Sequence, residues 1–479
     1  MSTCVNIHFL GAAGTVTGSK YLLEFPDHTV LIDCGFFQGV KKLRELNWQQ
    51  LPVKIEQIDT VLLTHGHLDH TGFLPRLTNM GFAGKIWGTA PTLDITEIIL
   101  RDSAKIQEED AERANRDGFT KHRPAKPLYT LLDVEKTLSR CISKELSVWH
   151  KITDKIRVRY RYNGHILGAT FIELDAHGKR FLFSGDVGRN NDLLLRDPDR
   201  PDRADVLFLE STYGDRLHPQ ESMTDKLEAI IHTTLGNNGT LIIPSFAVER
   251  AQLLMFMIWQ LMLQKRIPGS LPVFLDSPMG TNALAVFRKH HDWHQLSDDQ
   301  AIQMSERFHI VQSFAETWEI IDNPAPKIII AGSGMVTGGR VLTYLQQYLK
   351  RESTTVLLAG YQAEGTRGRQ LLEGADEIKF YGKYVPVKAR VDILDGLSAH
   401  ADRDELIYWL SEIESAPEHL FLVHGEPQAL DTLRVKLKDE RSWDAEIPGL
   451  RTFAKPGSLV FRASYAQQRR KDRKERNET

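Results

Sequence analysis

The stretch VLLTHGHLDHTGFLP, from Val61 to Pro75, places three histidines and one aspartate within six residues directly after an apolar run. These residues are His65, His67, Asp69 and His70. Imidazole and carboxylate groups are the ligands that a borderline ion such as zinc prefers. Four such ligands in six residues cannot all bind one tetrahedral ion while the loop stays unstrained, so the spacing predicts ligands for two adjacent ions. Gly66 allows the tight backbone turn between the first two histidines.

Other ligand-type side chains follow apolar runs at distant points of the chain. They are His165 after YRYNG, Asp186 after FLFSG, Glu210 after VLFL, His400 after LDGLSA and His424 after LFLV. Each lies where a strand should end, and catalytic groups converge at strand ends in α/β architectures. A lone histidine is usually a core or surface residue, but this recurrence favours a metal site. Asp186 is the natural candidate for a carboxylate that bridges two ions about 3.5 to 4 Å apart.

Length and composition indicate an ordinary globular protein of more than one domain. The chain has 479 residues, of which 41% are hydrophobic and 26% charged, and a formal net charge of −3. No apolar run approaches the ~20 residues of a membrane helix, and the N-terminus lacks the features of a secretory signal. Three widely separated cysteines argue against a disulfide framework. We therefore expect a cytoplasmic protein whose polyanionic partners, if any, bind local clusters of charge.

Two patterns of secondary structure alternate along the chain. Short β-branched runs with Gly-containing turns, such as TVLIDCG and DTVLLTHG, predict strands in the first two hundred residues, with a helix between Leu93 and Gly118. From about Asp215 to Asp376, helices alternate with wholly apolar runs such as GTLIIPS and KIIIAGSG, which predict a buried, mostly parallel sheet. The first pattern then returns. We expect one domain at 1–214 and 377–462, an inserted domain at 215–376, and a basic tail at 463–479.

At this point the motifs resemble those of the metallo-β-lactamase superfamily. The run HGHLDH matches its HxHxDH signature, NGHILGAT resembles the next histidine motif at His165, and FSGDVG resembles the bridging-aspartate motif at Asp186. The early LIDCG resembles a strand-end motif at Asp33, which implies that Asp33 orients the ligands. These motifs imply the fold of the domain and the presence of a metal more strongly than they imply the class of substrate.

The second half resembles the β-CASP nucleases of that superfamily. LFLESTYG with Glu210, LSAHAD with His400 and LVHGEP with His424 are similar to their three further motifs, and the resemblance covers nearly the whole chain. The chain is most similar to compact prokaryotic relatives of the endonuclease subunit of the pre-mRNA cleavage and polyadenylation machinery. The implied architecture is a four-layer αββα metallo-β-lactamase fold with an inserted α/β β-CASP domain on a mostly parallel sheet.

The resemblance also implies a metal site and a reaction. One Zn²⁺ is expected on His65, His67 and His165, a second on Asp69, His70 and His424, with Asp186 shared by both. A hydroxide held by the two ions would attack the phosphodiester of single-stranded RNA and leave a 3′ hydroxyl and a 5′ phosphate. The expected catalytic residues are Asp69, Glu210 and His400. His400 would act as general acid, although a buried, hydrogen-bonded histidine is an equally good interpretation of that residue alone.

Residues of the insert are candidates for phosphate contacts. AGSGMVTGGR could expose backbone N–H groups at Ser333, Gly334 and Met335, and Arg340, Arg367 and Arg369 could bind further phosphates, although a simple turn and salt-bridged arginines explain the same residues. A loop with Lys121, His122, Arg123 and Lys126 is a further candidate for contact with the substrate, although a simple surface loop explains these residues equally well. Together these elements predict single-stranded RNA entering between the domains.

Several alternatives stay open. Endonuclease activity is favoured, but 5′ to 3′ exonuclease activity is compatible with the same motifs. A thioesterase or lactonase could use the same metals, although it would not need the large insert. A non-catalytic RNA-binding scaffold is the third reading, which the complete ligand set disfavours. The C-terminal region of relatives often mediates dimerisation, so the resemblance is compatible with a homodimer.

Overall fold

A computed structural model of the protein describes residues 5–117, 123–360, 362, 364–455 and 458–463. The chain divides into two units. The first contains the residues up to 191, residues 197–217 and the residues from 399 onward, and the second contains 192–196 and 218–398. Cys34 and Cys141 are free thiols.

The first unit is built on two sheets. Its strands before the insertion are β1 (Asn6–Phe9), β2 (Tyr21–Glu24), β3 (Thr29–Ile32), β4 (Thr60–Leu62), β5 (Lys85–Gly88), β6 (Cys141–Ser143), β7 (Trp149–Lys151), β8 (Ile156–Tyr162), β9 (Thr170–Ala176), β10 (Lys179–Phe183) and β11 (Val206–Glu210). Its helices there are α1 (Lys41–Arg44), α2 (Leu68–Thr71), α3 (Leu74–Asn79), α4 (Ala90–Asp117) and α5 (Leu131–Leu138). The helix predicted between Leu93 and Gly118 is thus confirmed as α4.

The second unit is an α/β domain. Its helices are α6 (Met223–Gly236), α7 (Arg250–Leu263), α8 (Pro278–Lys289), α9 (Asp298–Arg307), α10 (Phe314–Asp322), α11 (Val341–Tyr348) and α12 (Arg367–Leu372). Its strands are β12 (Thr240–Pro244), β13 (Val273–Asp276), β14 (His309–Ile310), β15 (Lys327–Ala331), β16 (Thr355–Leu358), β17 (Glu377–Phe380), β18 (Lys383–Pro386) and β19 (Arg390–Ile393).

The chain then returns to the first unit. The elements there are α13 (Arg403–Trp409), β20 (His419–Val423), α14 (Pro427–Arg441), β21 (Thr452–Lys455) and β22 (Ser458–Ala463). The strand orders of its two sheets are β22-β21-β1-β2-β3-β4-β5-β6 and β20-β11-β10-β9-β8-β7. Short 3₁₀ turns at Glu45–Trp48, Ile55–Gln57, His291–Trp293 and Asp395–Leu397 complete the described helices.

Three apolar layers hold the first unit together. Residues of both sheets, such as Phe9, Ile32, Phe183 and Phe208, form one buried cluster between the sheets. The outer face of the first sheet packs on the helices of the N-terminal half through a second cluster. The outer face of the second sheet packs on α13 and α14 through a third. This stacking of helix, sheet, sheet and helix confirms the predicted four-layer fold.

Six strands of the second unit form a parallel sheet, as their apolar sequences predict, and β17 and β18 form a separate antiparallel hairpin. The order is β14-β13-β15-β12-β16-β19, and each neighbouring pair is parallel. The buried pattern of β12, β15 and β16 reflects strands that are covered on both faces. The sequence assigned residues from 377 onward to the first domain. In the structure β19 pairs with β16, so the second unit extends to residue 398.

Parallel pairing in the first unit brings the predicted site residues to one edge of each sheet. β3 pairs in parallel with β4, so that Ile32 lies beside Leu62 and the residues after both strands emerge together. In the second sheet β10, β11 and β20 are parallel, with Glu210 beside Val423. The predicted site residues therefore lie at the ends of strands, or directly after them, on one edge of the two sheets. They are Asp33, His65, Asp186, Glu210 and His424. None of the described helices is long and apolar enough to cross a bilayer.

Candidate metal centre

The loop His65 to His70 is fixed by backbone hydrogen bonds from two neighbouring segments. The Cys34 N–H donates to the His70 carbonyl at 2.7 Å, and the Ser19 N–H donates to the Asp69 carbonyl at 2.9 Å. Gly35 lies so close that a Cβ atom there would be 1.5 Å from the Asp69 carbonyl oxygen. Only glycine fits this approach, so the LIDCG motif shapes the metal loop as well as supplying Asp33.

Four side chains form the first ligand group, namely His65, His67, His165 and Asp186. The His67 Nδ1 atom lies 3.1 Å from His65 Nε2 and 3.3 Å from His165 Nε2. The Asp186 Oδ2 atom is 3.5 Å from His65 Nε2 and 3.6 Å from His165 Nε2. The group thus combines the crowded loop with the ends of two further strand segments.

A second group contains Asp69, His70 and His424. His70 Nε2 is 3.2 Å from His424 Nε2, which is 3.4 Å from Asp69 Oδ2. The other oxygen of Asp186, Oδ1, lies 3.3 Å from His70 Nε2. Each oxygen of Asp186 therefore faces a different group. His424 has a left-handed φ of +49°, which turns its side chain out of the end of β20.

These distances fit a pair of zinc ions. Ligand atoms about 2.0 to 2.1 Å from a tetrahedral zinc ion lie about 3.3 to 3.4 Å from one another, and the separations within the two groups run from 3.1 to 4.0 Å around this value. Asp186 Oδ1 is buried and makes no hydrogen bond with the residues that the structure describes. A bound cation would account for this oxygen and for the close approach of several nitrogen lone pairs.

The charge states of the first ligand group suit cation binding. Burial and the neighbouring histidines hold the pKa of His65 and of His165 well below the usual range, and burial lowers the pKa of His67 to about 4. Burial alone would raise the pKa of Asp186, but the histidines around it outweigh burial and hold this pKa well below its usual range. At neutral pH the first group therefore presents imidazole lone pairs and a carboxylate anion, the forms that bind zinc.

Asp33 and Thr64 orient the imidazole rings. Asp33 accepts hydrogen bonds from the Thr64 N–H, the Thr64 hydroxyl and His70 Nδ1, each at 2.8 Å. A carboxylate only accepts, so His70 carries a proton on Nδ1. Burial lowers the pKa of His70, but the charges of Asp186 and Asp33 outweigh burial and hold this pKa well above its usual range, so a metal on Nε2 would displace the second proton. The Thr64 Oγ1 atom is also 3.1 Å from His65 Nδ1 and fixes that ring in the same way.

Glu210 and His400 form a pair beside the first ligand group. Glu210 is buried, and its carboxylate accepts from the Val187 N–H at 2.7 Å and from the Thr212 N–H at 3.1 Å. His400 Nδ1 lies 3.2 Å from the same carboxylate, and its side chain is 20% exposed. Burial lowers the pKa of His400, but the charge of Glu210 and the bond to it outweigh this and raise the pKa to about 9. The His400 ring centre is 4.4 Å from that of His165.

Two hydroxyl groups and one ammonium group near the site were not predicted from the sequence. Besides Thr64, Thr212 places its Oγ1 atom 3.1 Å from His424 Nδ1. Lys20 is fully buried, and its Nζ atom donates to the carbonyls of Gly18 and Gly35. Lys20 thereby ties the turn after β3 to the segment before β2. Nothing in the run GAAGTVTGSK, which ends at Lys20, indicates that this lysine is buried or that it binds backbone carbonyls.

The predicted phosphate-binding residues of the second unit make other contacts. The Ser333 Oγ atom accepts from the N–H groups of Thr337 and Gly338, so the side chain closes its own loop. The Gly334 carbonyl accepts from Gln362, and the Met335 carbonyl accepts from the Gly368 N–H.

The three arginines also have partners within the chain. Arg340 donates to Thr317 at 2.6 Å and lies 3.8 Å from the buried Asp276. Arg367 donates to the carbonyls of Lys379 and Val336, and Arg369 pairs with Glu373. These contacts account for the three guanidinium groups without a phosphate. The role of these arginines, and of the backbone N–H groups at Ser333, Gly334 and Met335, in RNA binding stays a prediction. In the predicted basic loop, Arg123 and Lys126 are exposed, whereas Lys121 and His122 lie outside the described residues, as does the tail beyond Ala463.

Comparisons with known proteins identify the family of the chain. Three family models match: Metallo-beta-lactamase superfamily over residues 13–123, Beta-Casp domain over 251–371, and Zn-dependent metallo-hydrolase RNA specificity domain over 384–448. The chain is 33% identical over 429 residues to Ribonuclease TTHA0252 of Thermus thermophilus, which covers 88% of this chain and 93% of that relative.

More distant matches cover similar lengths. Transcription termination factor FttA of Methanocaldococcus jannaschii is 31% identical over 440 residues, covering 88% of this chain and 67% of that relative. A crystal structure of a protein of unknown function from Enterococcus faecalis covers 94% of this chain and 100% of its own, with 12% identity and a TM-score of 0.54. That last likeness concerns the fold alone.

Proposed function

Because the chain belongs to the β-CASP family of the metallo-β-lactamase superfamily, we propose that it is a zinc-dependent ribonuclease that cuts single-stranded RNA, mainly as an endonuclease. The observation that carries the proposal is the convergence of two ligand groups around the two oxygens of Asp186. The name of the relative that is 33% identical, a ribonuclease, and the RNA specificity model over residues 384–448 support RNA as the substrate.

Each ligand group has a role in the proposed reaction. His65, His67 and His165 would hold one Zn²⁺, and Asp69, His70 and His424 the other, with Asp186 between them. Two zinc ions bound there supply a water of lowered pKa and neutralise charge on the phosphodiester. Asp33 and Thr64 keep the imidazole nitrogens facing the ions.

His400 and Glu210 supply the proton for the leaving group. The contact with Glu210 holds the proton on His400 Nδ1 and fixes the ring, so that Nε2 is the atom that delivers a proton to the leaving 3′ oxygen. Backbone N–H groups of Val187 and Thr212 donate to the two oxygens of Glu210 and hold its carboxylate in one orientation. The products would carry a 3′ hydroxyl and a 5′ phosphate.

Labelled RNA tests the proposal directly. The purified protein is incubated with single-stranded RNA labelled at the 5′ or the 3′ end, with and without a chelator, and product lengths are measured. Internal cuts that the chelator abolishes are expected, whereas products that shorten stepwise from the 5′ end would indicate exonuclease activity instead. A panel of thioesters and lactones runs in parallel, and hydrolysis of those compounds without RNA cleavage would overturn the proposal.

The role of His400 has a matched control in the same unit. His400→Ala should retain its zinc content and lose about 100-fold or more in cleavage rate. His419 also pairs with a glutamate, Glu446, at 3.1 Å but lies away from the ligand groups, so His419→Ala should cleave normally. Equal activity of both variants would remove His400 from the mechanism. We extend the proposal to a cytoplasmic location and to a homodimer. Light scattering of the purified protein tests whether it is a dimer.

A further inference from the structure

Ser19 places a third hydroxyl group beside the candidate metal ligands. Its Oγ atom lies 3.4 Å from His70 Nε2. That nitrogen is the one expected to bind the second zinc ion, because Asp33 binds Nδ1 of the same ring. Ser19 is fully buried, with a relative exposure of 0%. A hydroxyl group at this depth needs a partner, since a buried polar group without one destabilises the fold.

The distances around His70 Nε2 place the Ser19 hydroxyl group among the ligands. His424 Nε2 lies 3.2 Å from this nitrogen, and Asp186 Oδ1 lies 3.3 Å from it. Ser19 Oγ follows at 3.4 Å, whereas Asp69 Oδ2, which belongs to an expected ligand of the same ion, is 4.0 Å away. Ligand atoms of one tetrahedral zinc ion lie about 3.3 to 3.4 Å apart. By this measure Ser19 is closer to a ligand position than Asp69 is.

Backbone hydrogen bonds on both sides hold Ser19 in this place. Its N–H donates to the Asp69 carbonyl at 2.9 Å, and its carbonyl accepts from the Gly35 N–H at 3.0 Å. The Nζ atom of the next residue, Lys20, donates to the carbonyls of Gly18 and Gly35. The segment is therefore fixed against the metal loop and against the turn after β3. The position of the Ser19 side chain beside His70 follows from these contacts.

The proton of this hydroxyl group has an acceptor away from the metal ligands. Tyr21, two positions further along the chain, lines the same cavity as Asp33 and His70. Burial and the charge of Asp33 hold the pKa of the Tyr21 phenol well above its usual range, and a hydrogen bond with Ser19 opposes that rise. The Ser19 hydroxyl group can therefore donate to the phenol oxygen and keep its lone pairs toward His70. In that state its oxygen is an acceptor that faces the place of a cation.

We propose that the Ser19 hydroxyl oxygen is a further contact of the second zinc ion, on the buried side of the group formed by Asp69, His70 and His424. Ser19 would be a positioning residue that helps to retain the ion, while the side of Asp69, which is 19% exposed, stays open to water and substrate. None of the seven ligands expected from the sequence is a serine. The proposal rests on the proposed function, because it concerns an ion that the ribonuclease would use.

Ser19→Cys tests this contact by spectroscopy. The substitution puts a thiol in place of the hydroxyl group, and a thiol that reaches a metal ion loses its proton and binds as the thiolate. The protein is loaded with Co²⁺ instead of zinc, because a bond between Co²⁺ and a thiolate produces a strong charge-transfer absorption in the near ultraviolet. The cobalt-loaded variant should show this absorption. The cobalt-loaded wild type should lack it, since neither ligand group contains a cysteine.

Ser184→Cys provides a matched control for the spectrum. Ser184 is also buried and lies two positions before Asp186, but its hydroxyl group bonds to the Gly185 carbonyl and to the Glu210 N–H. A thiol there should therefore leave the cobalt spectrum unchanged. This control separates a thiol that contacts the ion from one that is merely close to the ligands.

Ser19→Ala measures what the oxygen contributes to zinc binding. Loss of a group that supports a metal site costs about 10 to 100-fold in metal affinity in other proteins. One of the two zinc-binding steps should therefore weaken by about 10-fold in equilibrium dialysis, and the other should keep its wild-type affinity.

The outcomes separate this proposal from the ribonuclease proposal. A Ser19→Cys protein that bound two cobalt ions without the charge-transfer absorption would overturn the contact. If that variant did not fold, the dialysis of Ser19→Ala would decide, and either unchanged affinity or an equal loss at both steps would overturn the contact. Cleavage of RNA by the wild type would leave the ribonuclease proposal standing in each case. A wild type that bound no metal would overturn both proposals, whereas one that bound two ions and cut no RNA would overturn the ribonuclease proposal alone.

Discussion

Replacing Asp33 by asparagine is expected to weaken one metal position selectively. Asp33 Oδ1 accepts from the Thr64 N–H, and Oδ2 accepts from the Thr64 hydroxyl and from His70 Nδ1. An amide has one acceptor and one donor end. In either orientation its NH₂ group faces an N–H donor, that of Thr64 or that of His70, so one buried bond is lost. The bond to His70 is then either absent or made to a neutral amide oxygen, and in both cases it holds the ring less firmly than the carboxylate does.

The size of the effect follows from these contacts. A hydrogen bond to a buried charged group contributes about 1.5 to 3 kcal/mol, equivalent to about 10 to 150-fold in a binding constant. Loss of a partner that orients a metal ligand costs 10 to 100-fold in metal affinity in other proteins, on the order of the same range. Asp33→Asn should therefore weaken zinc binding at the Asp69, His70 and His424 group by about 10 to 100-fold.

Equilibrium dialysis against buffered zinc measures this change. The wild type should reach two ions per chain, and Asp33→Asn should stop near one over the range where the weaker position empties. Asp59→Asn serves as the control, because Asp59 also accepts a backbone N–H but is half exposed and distant from the ligands. If Asp33→Asn bound two ions with wild-type affinity, the orienting role of Asp33 would be refuted.

Three further predictions concern other parts of the chain. Thr212→Val should lower zinc affinity about 10-fold through His424, whereas Thr212→Ser should not, as dialysis would reveal. Arg340→Ala should destabilise the second unit by about 1 to 3 kcal/mol in urea unfolding, because it leaves Asp276 buried without its cation; unchanged stability with weaker RNA binding would instead support a phosphate contact. Burial lowers the pKa of Lys327 from 10.5 to about 8. Between these two pH values the unfolded state binds more protons than the folded state. The free energy of unfolding should therefore rise with pH from about 8 to 10.5, by at most about 3 kcal/mol. Lys327→Met should lack this rise, and an identical pH dependence of urea unfolding in both proteins would contradict it.

The fold and the candidate ligands were within reach of the sequence through local patterns, whereas the division of those ligands between two ions came only from the resemblance to a known family. A strand followed by histidine or aspartate indicates a side chain at a sheet edge, and parallel pairing brings those edges together. The sequence of VDILDG looks like the strands of the first domain, however, and nothing in it reveals that β19 pairs with β16. The sheet that a strand joins depends on the neighbouring strand with which it pairs, and the residues of the strand itself do not specify that neighbour.

Contacts between distant residues were beyond the sequence for the same reason. Threonine is common after strands, so Thr64 and Thr212 gave no sign that their hydroxyl groups fix histidine rings. An arginine after a glycine-rich loop suits a phosphate, but Arg340 lies 64 positions from the Asp276 carboxylate beside it. Such pairs form only once the chain is folded.

The chain leaves the first unit and re-enters it at adjacent points, since the Arg403 N–H donates to the Arg216 carbonyl at 3.1 Å. A linker of very few residues would therefore span the gap if residues 218–398 were excised. All seven ligand positions lie outside that excised piece, as do Glu210 and His400. The candidate metal ligands and the proposed general acid thus lie on segments that are separate from the inserted unit, so exchanging that unit would leave every one of them in the chain.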